Sequence, residues 1–440
     1  MSAGYGVFEN TDAAVMASKA AYDRFVSFTL RERGDLIKEI RLSLLNYANE
    51  LAAMEWEETG MGICQDKYIQ IVKAISQTPG ASYITQDASS DEEGLLLQES
   101  FPFGVSCAIH PINHPVASII NNTLMFLAAG NSVINLIPQR ACKVGSYVSG
   151  LINNIATQIC GVDNLVICMS DSRYEYNMQL INNPDVSLVV VTGGTDIINK
   201  ALSVSKRVIA AGCANPVVII DDTADIRNAA HDIAESVSFD NNLLCTSEKC
   251  AVVLNAVHDE LMQRLQEQGA YILSQEQQQQ LQNTVFDSDM QIKRDILGQS
   301  ADTILKKAGI ISTSDKHIKL IAFDAQVISP FVIKEVSAPI LPIVSVSDFE
   351  EALVIAKFIE QGYGHTASIF SKNIDHLSEA SRELQTAIFI KNGSTLYGAG
   401  LKGDAPITFT IANVTGEGAV TPKCFVKKRK CILKGSFERK

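Results

Sequence analysis

No stretch of this 440-residue chain reaches the roughly 18 uninterrupted apolar residues that a membrane helix needs. The best run, Ile119 to Ala129, is broken by Asn121 and Asn122. The opening MSAGYGVFEN lacks the basic start and apolar centre of a secretory signal. The ten cysteines include no CxxC pair. They read as reduced thiols of an intracellular protein, which excludes a disulfide frame and a zinc site, and no metal is expected. Cationic excess is missing too: a net charge of −12 argues against nucleic acid as a partner. The one basic run, Lys427 to Lys430, reads as the solvated face of a terminal strand. The glutamine run from Gln275 to Gln282 reads as a polar helix surface.

What is present is an ordinary globular balance, 46% hydrophobic and 20% charged residues, in a chain long enough for two cores. From residue 12 to about 78 apolar residues recur at helical spacing, as in Ile37, Ile40, Leu44, Ala48 and Leu51. The segment LLLQESFPFGVSCAIHP changes period and predicts two strands joined around Pro102. Short apolar runs at 132–137, 165–169, 187–191 and 208–211 then alternate with helical stretches at 115–129, 141–159 and 195–204. This alternation predicts a doubly wound parallel sheet. A second α/β series follows the Asn215-Pro216 boundary, with VVII at 217–220, CAVVLN at 250–255, PILPIVSV at 339–346, ASIF at 367–370 and AIFI at 387–390.

One stretch carries more than fold information. In SFDNNLLCTSEKCAVVL, 238–254, a helix ends in a polar Asp240-Asn241-Asn242 loop, Cys245 follows, and a short polar segment leads into a buried strand. A thiol on such a loop can be exposed enough to act as a nucleophile, provided its thiolate is stabilised. It can equally be a small buried apolar residue; Cys250, inside the strand, reads as core. In HPINHP, 110–115, Asn113 is either part of a turn that Pro115 opens into a helix or an amide donor to an oxyanion. VVTGG, 190–194, is a strand-to-helix turn suited to a cofactor phosphate, although a tight turn alone explains its glycines. Glu335 and His365, taken singly, read as a surface carboxylate and a structural histidine.

The Cys245 segment resembles that of the CoA-acylating aldehyde dehydrogenases, especially the propionaldehyde and acetaldehyde dehydrogenases of bacterial microcompartments. Their pattern is close to SFDNNLPC followed by an EK pair. The likeness runs along the chain through EETGMG at 57–62, FPFGV at 101–105, INN at 120–122, LAAGN at 127–131, VVTGG at 190–194, HTASIFSKN at 365–373 and FTIANVTGEG at 409–418.

This resemblance implies an aldehyde dehydrogenase-like α/β fold. Residues 1–93 and 104–215 would form the NAD- and CoA-binding domain, 216–419 the catalytic domain, and 94–103 with 420–440 a β-strand oligomerisation arm. It makes Cys245 the nucleophile, Asn113 an oxyanion donor beside the Cys245 backbone N–H, and His365 a residue of the acyl-transfer site. Thr192, Gly193, Gly194, Glu335 and Pro138 become cofactor contacts. Asn113 follows the wider superfamily, where the microcompartment enzymes often have threonine.

The resemblance also implies a short aldehyde as substrate, NAD as oxidant and coenzyme A as acyl acceptor. The expected setting is a homodimer or homotetramer in the cytoplasm or within a microcompartment, near its shell or an alcohol dehydrogenase. Hydrolytic relatives place a water-activating glutamate in a segment that here reads AAGCANP, 210–216, with Ala210 at its position. The open alternatives are a hydrolytic dehydrogenase and a non-catalytic relative. Departures fall at NLIPQRA, 135–141, at Thr195-Asp196 and at Cys213-Ala214.

Overall fold

In the computed structural model the chain is described over residues 6–171, 173–311 and 317–437. Residues 1–5 of the opening segment and 438–440 of the expected arm lie outside that range. Six parallel strands form one sheet, in the order Val7–Phe8, Val166–Met169, Ser132–Leu136, Val105–Ile109, Val186–Thr192 and Arg207–Ala211. The runs expected from the sequence are these strands to within a residue or two. The exception is Val7–Phe8, which pairs with Cys168 and Met169 and is too short to show an alternation. The expected helices are Pro115–Ala129, Cys142–Cys160 and Thr195–Leu202. Helices cover both faces, so the inner strands are largely buried and read as continuous apolar runs.

From Val105–Ile109 the chain winds outward to one side and then returns to the other with Val186–Thr192. The crevice beyond the carboxyl ends of these two strands is the point where a doubly wound sheet binds its ligand. Asn113 and the Thr192-Gly193-Gly194 turn both lie there.

Between Ala211 and Val217 the chain passes into a second sheet of seven parallel strands. Its order is Ala270–Ile272, Leu320–Asp324, Ile340–Val346, Cys250–Leu254, Val217–Ile220, Thr366–Phe370 and Ile388–Lys391. The segment after that sheet comes back to the first: Leu396, Ile407, Phe409, Ala412, Val420 and Phe425 belong to the apolar cluster under the Pro115–Ala129 helix. The two asparagines that interrupt the long apolar run hold it there. Asn121 Nδ2 donates to the Ile407 carbonyl at 3.2 Å, its Oδ1 accepts from Phe409 N at 3.1 Å, and Asn122 Oδ1 accepts from Thr410 at 3.1 Å. Buried amides are tolerated because each finds a partner.

A third, antiparallel sheet stands apart, with Gly94–Pro102 between Val426–Lys434 and Asp87–Ser90. Lys428, Arg429 and Lys430 are exposed, with Arg429 paired to Glu99 at 2.7 Å. No helix among the described residues is long and apolar enough to cross a membrane.

Candidate active site

The helix Ile226–Ser238 ends in the turn Phe239–Asn242, where Asp240, Asn241 and Asn242 have φ of 49°, 54° and 59°. Three consecutive left-handed non-glycine residues are unfavourable in isolation and persist only where surrounding structure enforces them. Here the side chains supply the restraint. Asp240 accepts from Ile63 N at 2.8 Å and Gln70 Nε2 at 2.7 Å, and Asn241 donates to the Gly298 carbonyl at 2.8 Å. The chain then runs through Leu243 and Leu244 to Cys245.

The short polar segment after Cys245 is buried. Ser247 and Glu248 are 0% exposed and Lys249 is 1% exposed. Lys249 and Glu248 find partners there, whereas the Ser247 hydroxyl and Glu248 Oε1 have none. Lys249 Nζ donates to the Asn242 carbonyl at 2.7 Å, to Asn242 Oδ1 at 2.8 Å and to the Leu244 carbonyl at 3.0 Å. Glu248 accepts from Thr395 at 2.9 Å and from Ser236. The loop is therefore a small buried polar network around the nucleophile candidate.

Cys245 itself is half-buried, not freely exposed. Burial pushes its thiol up to about 12, the charge of Glu335 adds to that, and Lys249 and the Cys245 backbone N–H oppose it. Glu335 is half-buried, accepts from Ala214 N at 3.4 Å and is itself raised above the usual carboxylate range by burial. His365 is 1% exposed. Burial, reinforced by Lys249, drops it to about 3, and its Nδ1 lies 2.8 Å from Thr366 Oγ1. Cys245, Lys249, Glu335 and His365 thus share one electrostatic neighbourhood. Cys245 and His365 enter it from the amino ends of the strands Cys250–Leu254 and Thr366–Phe370.

Asn113 reaches the same loop from the first sheet. Its Nδ2 donates to the Leu243 carbonyl at 2.9 Å, two residues before Cys245. An amide nitrogen carries two hydrogens, so one is left over from this bond.

The Thr192-Gly193-Gly194 turn opens the helix Thr195–Leu202, whose N-cap Gly194 offers no side-chain cap. Nothing lies within 4 Å of where a Cβ on Gly194 would stand. Uncapped N–H groups facing open space suit a cofactor phosphate, so these residues fit NAD. Two departures from the acylating pattern meet at this rim, Thr195 Oγ1 standing 3.7 Å from Cys213 Sγ. Pro138 follows the strand Ser132–Leu136 and is half-buried; no hydrogen bond joins it to the other site residues.

The aldehyde dehydrogenase family model matches residues 5–401. The chain belongs to the aldehyde dehydrogenase family. It is 37% identical over 434 residues to a CoA-propanoylating propanal dehydrogenase of Citrobacter freundii, covering 99% of this chain and 94% of that one. A solved propionaldehyde dehydrogenase of Rhodopseudomonas palustris, holding CoA and an acylated cysteine, is similar at 36% identity and a TM-score of 0.96, covering 99% of each chain. Another, from the fucose-utilisation microcompartment of Clostridium phytofermentans, matches at 36% identity and a TM-score of 0.95, over 98% of this chain and 99% of that one.

Within this aldehyde dehydrogenase site, sequence reasoning overlooked Lys67 and Glu55 and read Asp240 only as part of a polar loop. Lys67 is 1% exposed, with its Nζ 3.0 Å from Glu55 Oε1 and 3.1 Å from Asp240 Oδ2. The signal was in the helix patterns. The buried stripe Ile71, Ala74 and Ile75 of helix Cys64–Gln77 continues back to Gln70 and Lys67. The stripe Ala48, Leu51 and Ala52 of helix Ala48–Thr59 runs on to Glu55 and Thr59. A charge on a buried stripe calls for a partner.

Proposed function

We propose that this chain oxidises a short aldehyde such as propanal with NAD and passes the acyl group to coenzyme A. The observation that carries the reading is the Asn113 amide bound to the Leu243 carbonyl, two residues before Cys245, in a chain so similar to an enzyme solved with CoA and an acylated cysteine.

Cys245 attacks the aldehyde carbon as its thiolate. The second Asn113 amide hydrogen and the Cys245 backbone N–H stabilise the alkoxide of the resulting thiohemiacetal. Loss of hydride converts that adduct to a thioester on Cys245. NAD, when bound, supplies the hydride acceptor; Thr192, Gly193, Gly194, Pro138 and Glu335 are the residues that would hold it. His365 stays neutral at physiological pH and can act in acyl transfer as a hydrogen-bonding imidazole. Coenzyme A then attacks the thioester and leaves as acyl-CoA, freeing Cys245. Thioester exchange is nearly balanced, so the overall reaction runs in both directions.

One solved relative comes from a microcompartment. Encapsulation of this chain, with a shell or an alcohol dehydrogenase as neighbour, is proposed on that basis. The test of function is NADH formation from propanal with and without coenzyme A, with products identified by mass. CoA-dependent propionyl-CoA supports the reading, CoA-independent propionate replaces it with the hydrolytic one, and no turnover in either case indicates a non-catalytic relative.

A further inference from the structure

Lys67 stands outside the reaction just described, yet it touches both of the loops that meet at Cys245. Its Nζ has three protons to donate and finds three acceptors on three separate elements. These are Glu55 Oε1 at 3.0 Å, Asp240 Oδ2 at 3.1 Å and the Asn113 carbonyl at 3.2 Å. Lys67 and Asp240 are each no more than 1% exposed, and so is Glu55.

Each acceptor leads into the site. Asp240 is the first residue of the left-handed run, and its own N–H donates to Asp66 Oδ2 at 2.8 Å. That run sets the direction in which Leu243 and Cys245 emerge. Glu55 Oε2 accepts from Val116 N at 3.3 Å, at the start of the helix that follows Asn113. The Asn113 carbonyl is held by Lys67 while its amide is held by Leu243. The contacts therefore close a ring: Lys67 to Asp240, along the chain to Leu243, across to the Asn113 amide, and from the Asn113 carbonyl back to Lys67.

We propose that Lys67 is a positioning residue that sets the Asn113 amide against the Cys245 thiol, joining the oxyanion loop of the first sheet to the nucleophile loop of the second. A lysine suits this place because a compact ammonium can satisfy three acceptors in three directions, whereas a planar guanidinium cannot. The two carboxylates offset its charge, and the strained turn is kept by the bonds that converge on it. The inference rests on Asn113 as oxyanion donor, and its test separates the two.

Lys67→Met removes the ammonium and leaves two buried carboxylates, so it is made together with Glu55→Gln; Lys67→Arg, which retains the charge, is the second variant. The readouts are the rate of the first NADH turnover from propanal, the Kd for NAD, and the melting temperature. In folded variants the first-turnover rate should fall by more than about tenfold while the Kd for NAD moves by less than about twofold.

The deciding measurement is a double-mutant cycle with Asn113→Ala. In the wild-type background Asn113→Ala should cost roughly 100- to 1000-fold. In the Lys67→Arg background, or in Glu55→Gln/Lys67→Met, it should cost less than about tenfold, because the donor has already left its place. A full, additive loss in a folded Lys67 variant overturns this proposal and leaves the oxyanion assignment standing. A loss under about threefold in the wild-type background overturns both.

Discussion

The negative charge of Glu335 acts on the Cys245 thiol in the same direction as burial, and both raise its pKa, to about 12. Lys249 pulls the other way and is itself lowered to about 8, first by burial. The free enzyme therefore holds Cys245 as a thiol at neutral pH, and the reactive thiolate grows in as pH rises. Alkylation by iodoacetamide should climb through the alkaline range, with a midpoint above that of an ordinary cysteine. Glu335→Gln removes an opposing charge and should move the midpoint down; Lys249→Met removes a favourable one and should move it up. A wild-type midpoint near or below 8, or shifts of the opposite sign, would show that the charges act otherwise.

Only one of the two cysteines in the segment is placed to react. Cys250 is 0% exposed inside its strand and packs with Val217, Val252 and Val344. Cys245→Ala should abolish aldehyde oxidation while leaving the fold and NAD binding intact. Cys250→Ala should keep most activity and lower stability by about 1 kcal/mol, the cost of a small cavity. Steady-state rates and melting curves of both variants test this, and substantial turnover by Cys245→Ala would remove the nucleophile assignment.

The parts of this protein that were legible from sequence are those governed by local pattern. Parallel strands buried on both faces, such as Val186–Thr192, leave a continuous apolar run between helical stretches. Cys245 stood out because a thiol between a polar turn and a strand is an unusual placement, and resemblance then gave it a role. The polar half of the site was not legible, because burial of a charge depends on partners remote in sequence. Lys67 lies 173 positions from Asp240, and Glu248 lies 147 from Thr395. A lysine or glutamate reads as solvated until the fold delivers its partner. The return of 396–426 onto the first sheet was hidden for the same reason: Asn121 and Asn122 read as interruptions, and only their bonds across 286 and 288 positions show them as ties.

Among the described residues, the antiparallel arm is the one sheet whose strands carry exposed large apolar side chains. Ile432 is 72% and Leu433 47% exposed, next to a strand edge with free backbone groups. Such an edge invites pairing with another chain. The expected state is at least a dimer, visible by light scattering at micromolar concentration. Introducing negative charge into the arm with Ile432→Glu and Leu433→Glu should shift the distribution toward monomer without altering the Cys245 environment. A wild-type monomer at that concentration would exclude the arm as an association surface.

Ala210 is a core residue of the first sheet. It stands in the strand Arg207–Ala211, 0% exposed, packed with Val189, Val191 and Val208, its N–H donating to Thr415 Oγ1 at 2.9 Å. The resemblance would put the water-activating carboxylate of hydrolytic relatives at this position, where this chain has a methyl group inside its core. Without such a base the thioester on Cys245 should wait for a thiol. Mixing enzyme, NAD and propanal should then give a burst of about one NADH per active site followed by a slow phase. Coenzyme A should restore steady turnover with ping-pong kinetics, because the acyl enzyme is a covalent intermediate that outlives the first half-reaction. Ala210→Glu would bury an unpaired carboxylate among valines, so it should lower the melting temperature without speeding the slow phase. The wild type decides the matter. Fast, linear NADH production in the absence of coenzyme A, with free acid as product, would mean that another group activates water, and the thioester would not be waiting for a thiol at all.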